Sequence, residues 1–237
     1  MFIGHYGVSL ASKPLAPRLS LGWLFLAVQL LDVLFSIFVL LGIEKMRIVH
    51  GFTAYNPYDL YWMPYSHSLA GALAWSLLAA GACLAANRSR PRGERRIAAG
   101  VVGAAVFSHF VLDMPVHTPD LPLGFGAGSP RVGLGLWNHP LAATALELAV
   151  LAAGAILYLR ATRAKSRAYS TATVVFGALL VVLTIGTRFQ PDPASGQAFA
   201  IRALVFYLAL ALAAGIVDRG RRMREPSSVR LGQPNEA

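Results

Sequence analysis

The sequence predicts an all-α polytopic membrane bundle: about six transmembrane helices preceded by a short N-terminal half-helix, with both termini cytoplasmic. Three observations carry this. Of 237 residues, 56% are hydrophobic and only 14% are charged, against roughly 25% charged in a soluble domain. Uncharged runs alternate with short basic clusters, and six of the runs approach the roughly 20 helical residues needed to cross a hydrocarbon core. The basic clusters also fall on alternate connections, as the positive-inside rule requires.

In chain order, residues 2–12 form a short apolar segment that cannot span and reads as a half-helix or re-entrant piece. Without a basic leader or a small-residue cleavage site, it is expected to remain in the mature protein. The spans follow at 20–42, 64–86, 96–114, 139–160, 170–187 and 199–218. With six spans, 16 of the 21 Lys and Arg lie on one side, in the segments before the first span and after the second, fourth and sixth. That side is predicted to be cytoplasmic. The net charge of +10 is thus used for topology, and nucleic acid is not an expected partner. The other side carries FTAYNPYDLYWMPY at 52–65, an aromatic belt, and the Pro- and Gly-rich loop 118–137. The expected organisation is a functional core over 1–160, two additional apolar spans over 161–224, and a disordered polar tail over 225–237. Cys83 is the single cysteine, so no disulfide framework is possible.

Ionisable residues inside these runs need a reason, because each costs about 2.5–3.5 kcal/mol at mid-bilayer. Asp32 lies within the first span, His67 opens the second between two serines, His109 and Asp113 end the third, and His139 and Glu147 lie in the fourth. Along a helix His5 stands about 12 Å and Asp32 about 18 Å from the basic boundary. His109 and Asp113, at i and i+4, point from one helix face. His5, Asp32, His67, His109 and Asp113 can therefore converge. Imidazole nitrogen with carboxylate oxygen suits a divalent metal ion, zinc first. Ser66, Ser68 and Ser108 are candidate hydrogen-bond supports for the histidines. Pro115 should end or kink the third span, which puts His117 and Asp120 on the rim. An interhelical polar clamp without metal explains the His109–Asp113 pair about equally well. Glu147 and His139 fit packing or the support of ligands about as well as direct contact with the ion, and His50 belongs to a polar loop facing water.

The set GHYGVSL, Asp32, SHSL at 66–69 and SHFVLD at 108–113 resembles the bacterial family of membrane-bound metal-dependent hydrolases, also described as LexA-binding inner-membrane-associated hydrolases. The order and approximate spacing match over residues 1 to about 140. The chain departs from that pattern around Asp32, where LLDVLFS replaces a denser acid and histidine cluster. It departs again at YWMPYSHS, which lacks a preceding histidine and arginine. The resemblance implies a bacterial inner-membrane protein with a metal site, and metal-assisted hydrolysis is the leading expectation; a lipid-like or membrane-associated ester fits the membrane setting. In that reading His67, His109 and Asp113 hold the ion, His5 and Asp32 complete or buttress the set, and His117 transfers a proton. A proton- or ion-coupled transporter and a non-catalytic membrane scaffold are the alternatives.

Overall fold

The computed structural model describes residues 1–225; the expected tail beyond Glu225 lies outside the described residues. Eight α-helices dominate: α1 (His5–Ser12), α2 (Leu21–Val28), α3 (Leu30–Leu40), α4 (Leu69–Ala86), α5 (Arg92–Val116), α6 (Pro140–Ala161), α7 (Arg167–Gly186) and α8 (Gly196–Arg219). Five helices are long and apolar enough to cross a membrane, or six if α2 and α3 count as one span bent by 57°. Among the described residues the bundle is all-α apart from three two-stranded antiparallel sheets: β1 (Lys45–Ile48) with β2 (Tyr58–Trp62), β3 (Leu121–Pro122) with β4 (Arg131–Val132), and β5 (Thr162–Ala164) with β6 (Arg221–Met223), the last pair joined across α7 and α8.

Side-chain oxygens fix several helix starts. Ser20, Ser68, Ser166 and Ser195 each accept an amide hydrogen bond in the first turn of α2, α4, α7 and α8, covering donors that a helix otherwise leaves orphaned. The β5–β6 pair gathers Arg163 and Arg222 on the basic face. The same face is tied across the bundle by Lys13, whose Nζ lies 2.6 Å from Asp218 Oδ2 at the end of α8 and donates to the Leu19 carbonyl at 2.6 Å.

The half-helix α1 is seated against α6. A Cβ on Gly154 would fall on the Gly7 carbonyl, and a Cβ on Gly7 would meet the Val150 carbonyl. Only hydrogen at both positions allows this approach. Glu147 of α6 then receives the start of α1: its carboxylate accepts from the Gly4 amide at 3.1 Å and from the Phe2 amide at 3.3 Å. A carboxylate at a helix N-terminus also complements the partial positive charge there. Met1 consequently lies in the bundle interior, with Lys13 at the other end of α1 on the basic face.

Three places in the structure sharpen the sequence reading. The first span is broken at Gln29, without proline or glycine at the break. Pro115 lies in the last turn of α5, which ends one residue later at Val116, and the His117 amide still bonds the Asp113 carbonyl at 2.9 Å. From beyond residue 160, α8 packs along α2 and α3, and its Tyr207 hydrogen-bonds Asp32 at 3.1 Å.

Candidate metal centre

Asp113 is the hub of the interior. Its Oδ1 lies 2.5 Å from the Met1 amino group and 3.2 Å from His5 Nε2. Its Oδ2 faces Nε2 of His109 at 3.1 Å, of His117 at 3.6 Å and of His67 at 3.8 Å. Asp32 approaches from α3, with Oδ1 at 3.3 Å from His67 Nε2 and 3.5 Å from His109 Nε2. The five residues expected to converge, His5, Asp32, His67, His109 and Asp113, are thus brought together from α1, α3, the turn before α4, and α5. Within them, His5, His109 and Asp113 form one group with candidate ligand atoms within 4.8 Å of one another, and Asp32, His67 and His109 form a second.

Each element delivers its residue for a local reason. The Ser66–Ser68 turn is pinned by Glu44, which accepts from the amides of Tyr65 at 2.8 Å and Ser66 at 2.9 Å. Ser66 Oγ donates to Glu44 Oε2 at 2.5 Å and lies 2.8 Å from His67 Nδ1. Since the hydroxyl proton is committed to Glu44, Nδ1 of His67 must be the donor in that contact. His109 Nδ1 lies 2.6 Å from the Val28 carbonyl at the break between α2 and α3. A carbonyl can only accept, so this nitrogen also carries hydrogen. His117 Nδ1 lies 2.9 Å from Asp120 Oδ1, and Asp120 also accepts from the Thr118 hydroxyl at 3.0 Å.

Three imidazoles therefore have their Nδ1 protons held by acceptors and turn Nε2 toward carboxylates. Nε2 of His109 is fully buried and has no partner in hydrogen-bonding geometry among the described residues, despite the nearby oxygens. His5 differs. Its Nε2 contacts Asp113 and its ring stacks on His109 with centroids 3.9 Å apart, while its Nδ1 has no hydrogen-bond partner. With its proton on Nε2 His5 donates to Asp113, and with the proton on Nδ1 its Nε2 is a candidate ligand atom.

His117 is the clearest correction to the sequence reading. It is 3% exposed and belongs to the inner cluster, because α5 runs through Pro115 and the loop after it folds back. The Gly135 amide bonds the His117 carbonyl at 2.7 Å, the Leu134 amide bonds the Met114 carbonyl at 2.9 Å, and Trp137 lies over the imidazole at 4.1 Å. Asp120 is inside with it.

The other candidates separate cleanly. Glu147 is buried as the cap of α1, whereas His139 is exposed at the start of α6. His50 is open to solvent and pairs with Asp192 at 2.9 Å. Ser68 caps α4, and Ser108 bonds only the Ala105 carbonyl. Three contributors were missed by sequence reading. Glu44 has the signature of an ordinary acid at a span end, and the Val28 carbonyl has no side-chain signal at all. Tyr207 could have been noticed as a lone phenol inside an apolar helix, since a buried Tyr hydroxyl normally has a partner.

A cavity of about 450 Å³ reaches this cluster, with Asp32, His67, Asp113 and His117 at its floor. Its size falls within the roughly 300–1,000 Å³ of small-molecule sites. No protein family, curated protein or solved structure was found to match the chain.

Proposed function

We propose that the chain is an integral-membrane, metal-dependent hydrolase centred on Asp113. The observation that carries this reading is the set of Nε2 lone pairs of His67, His109 and His117 facing the carboxylates of Asp32 and Asp113. Acceptors facing acceptors in a buried site need positive charge between them. Protonating all three imidazoles would place three cations in the bundle beside two carboxylates. One divalent cation with neutral imidazoles balances Asp32 and Asp113, while the Met1 ammonium at Asp113 Oδ1 is offset by the buried Glu147 carboxylate that caps α1. The mixed nitrogen and oxygen set suits zinc or another first-row ion. The unpartnered Nε2 of His109 is the atom such an ion would satisfy.

In this reading Asp32, His67, His109 and Asp113 hold the cation, and His5 orients Asp113. A divalent ion at this place supplies Lewis acidity toward a carbonyl or phosphoryl oxygen and a more acidic water. Val28, and Ser66 backed by Glu44, fix the two ligating imidazoles by accepting their Nδ1 hydrogens. Tyr207 donates to Asp32 and limits its movement. His117, with Asp120 behind its Nδ1, is placed to take up a proton at Nε2 and return it to a leaving group. Asp120 stabilises the imidazolium formed meanwhile. The resemblance of SHSL and SHFVLD to membrane-bound metal-dependent hydrolases belongs to the same reading. By the positive-inside rule the basic face is cytoplasmic, so the cavity opens toward the other side of a bacterial inner membrane, to a lipid-like or membrane-associated ester. On the basic side of the cluster, Tyr6 and Phe25 are fully buried and stacked at 4.2 Å, which favours a one-sided reaction chamber over a permease.

Elemental analysis of the detergent-purified protein is the test. About one zinc, or other first-row ion, per chain is expected, with loss of metal and of ester hydrolysis in His109→Ala and Asp113→Ala. A folded protein that takes up no divalent ion overturns the reading.

A further inference from the structure

The cavity has a second chemical character at its open end. Its walls are apolar, formed by Phe35, Leu60, Leu183, Phe199 and Phe206, while Arg188 and Arg202 stand near its mouth. Arg188 belongs to the turn Thr187–Phe189 that ends α7, and Arg202 lies on the second turn of α8. Among the described residues neither guanidinium has an ion-pair partner, and the acid beside them, Asp192, is engaged by His50 at 2.9 Å. Arg188 lies 6.0 Å from the ring centre of Tyr55, and Tyr58 packs on Phe199 at 4.6 Å. Burial pushes the Tyr55 phenol up to about 12, with repulsion from Glu147 adding to it and Arg188 opposing it. Burial also raises Tyr58, against the pull of Arg202. Both phenols thus stay neutral donors beside cations. A rim made of two guanidiniums and two hydroxyls is built to receive an anion.

The depth of the rim narrows the ligand further. Arg202 precedes Tyr207 by five residues on α8, a rise of about 7.5 Å, and the Tyr207 hydroxyl reaches Asp32 at the cavity floor. A group held at the rim is therefore a few bonds from whatever meets the cluster, and the space between is lined by aromatic and aliphatic side chains.

We propose that Arg188 and Arg202 form an anion-binding rim for the charged head of an amphiphilic ester, one molecule carrying a phosphate-like or carboxylate head beside an apolar chain. The rim holds the head and presents the neighbouring ester linkage to the residues around Asp113. The proposal rests on the hydrolytic reading only for the fate of the ligand, because binding at the rim needs no metal.

The test uses the full chain in a neutral maltoside detergent, stripped of metal by chelation. Isothermal titration measures binding of dodecyl phosphate, with inorganic phosphate as the headgroup alone and the detergent itself as the chain alone. Wild type and Gly177→Val, a change outside the cavity where an added Cβ meets nothing within 4 Å, are expected to bind dodecyl phosphate equally. Arg188→Gln and Arg202→Gln should each weaken it about tenfold, the loss of one charge-assisted contact, and inorganic phosphate should bind at least about tenfold more weakly. Arg188→Lys with Arg202→Lys keeps the charge where a Gln variant misfolds, and should weaken binding about threefold or more through loss of the forked donor geometry. Unchanged affinity in the folded Gln or Lys variants overturns the rim. Equal binding of inorganic phosphate overturns the amphiphile and leaves a free-anion site in its place. Retained binding in a protein that takes up no metal would condemn the hydrolytic reading alone.

Discussion

Ser66 and Ser68 flank His67, and the structure gives them different work. Ser66→Ala removes the hydroxyl that joins His67 Nδ1, 2.8 Å away, to Glu44 Oε2, 2.5 Å away. The Glu44 Oε1 bonds to the amides of Tyr65 and Ser66 do not involve that hydroxyl, so the turn itself should persist. His67 then loses the acceptor that keeps its proton on Nδ1. The alternative tautomer puts hydrogen on Nε2, the atom 3.3 Å from Asp32 and 3.8 Å from Asp113, and removes the lone pair a metal would use. Loss of such a support typically costs tenfold to a hundredfold in metal affinity, about 1.4–2.8 kcal/mol. Leaving the buried Nδ1 donor unpaired costs about 1–3 kcal/mol of stability as well. Ser68→Ala is the matched control. Ser68 accepts from the Gly71 amide at 2.9 Å and donates to the Pro64 carbonyl at 2.6 Å, so its loss removes a helix cap worth about 1 kcal/mol and spares the tautomer. Competition with a chromogenic zinc chelator should show a drop for Ser66→Ala and a change below about twofold for Ser68→Ala. Wild-type zinc affinity in folded Ser66→Ala, or equal losses in the two variants, would refute the tautomer argument.

Two further outcomes test the frame around the site. Asp218→Ala leaves the Lys13 ammonium buried without its carboxylate, and removing one partner of a buried pair typically costs about 3–5 kcal/mol; thermal unfolding in detergent should show a large fall in midpoint with zinc affinity retained. Gly154→Val should push α1 off α6 and misplace His5, costing about 1–3 kcal/mol or more from overpacking. Gly177→Val, where an added Cβ meets nothing within 4 Å, should leave the unfolding midpoint nearly unchanged.

The spans were legible because hydropathy and basic clustering act locally. Each run must satisfy the bilayer by its own length, and each cluster must stay on its own side. The common direction of His109 and Asp113 was legible for a similar reason, being a property of one helix. Asp120 and His117 were misplaced because nothing in the sequence shows that the loop after Val116 folds back and covers them, through the Gly135 amide on the His117 carbonyl and Trp137 on its ring. A proline removes one helical hydrogen bond, and here the turn still closes through the His117 amide to Asp113.

By itself the sequence determined the apolar runs that build the bundle and named the five residues expected to meet. Depth, however, does not determine rotation about a helix axis in a run that is apolar all round, because no polar face selects it. Only tertiary packing decided that α2 and α3 bend apart at Gln29 and give the Val28 carbonyl to His109. Packing also brought Tyr207 of α8 to Asp32, and turned Glu44 inward to Ser66. These contacts join groups far apart in sequence, and their hydrogen-bond polarity decides which imidazole nitrogen carries a proton. The ingredients of the centre were therefore written along the chain, while the direction of its lone pairs was set by the fold.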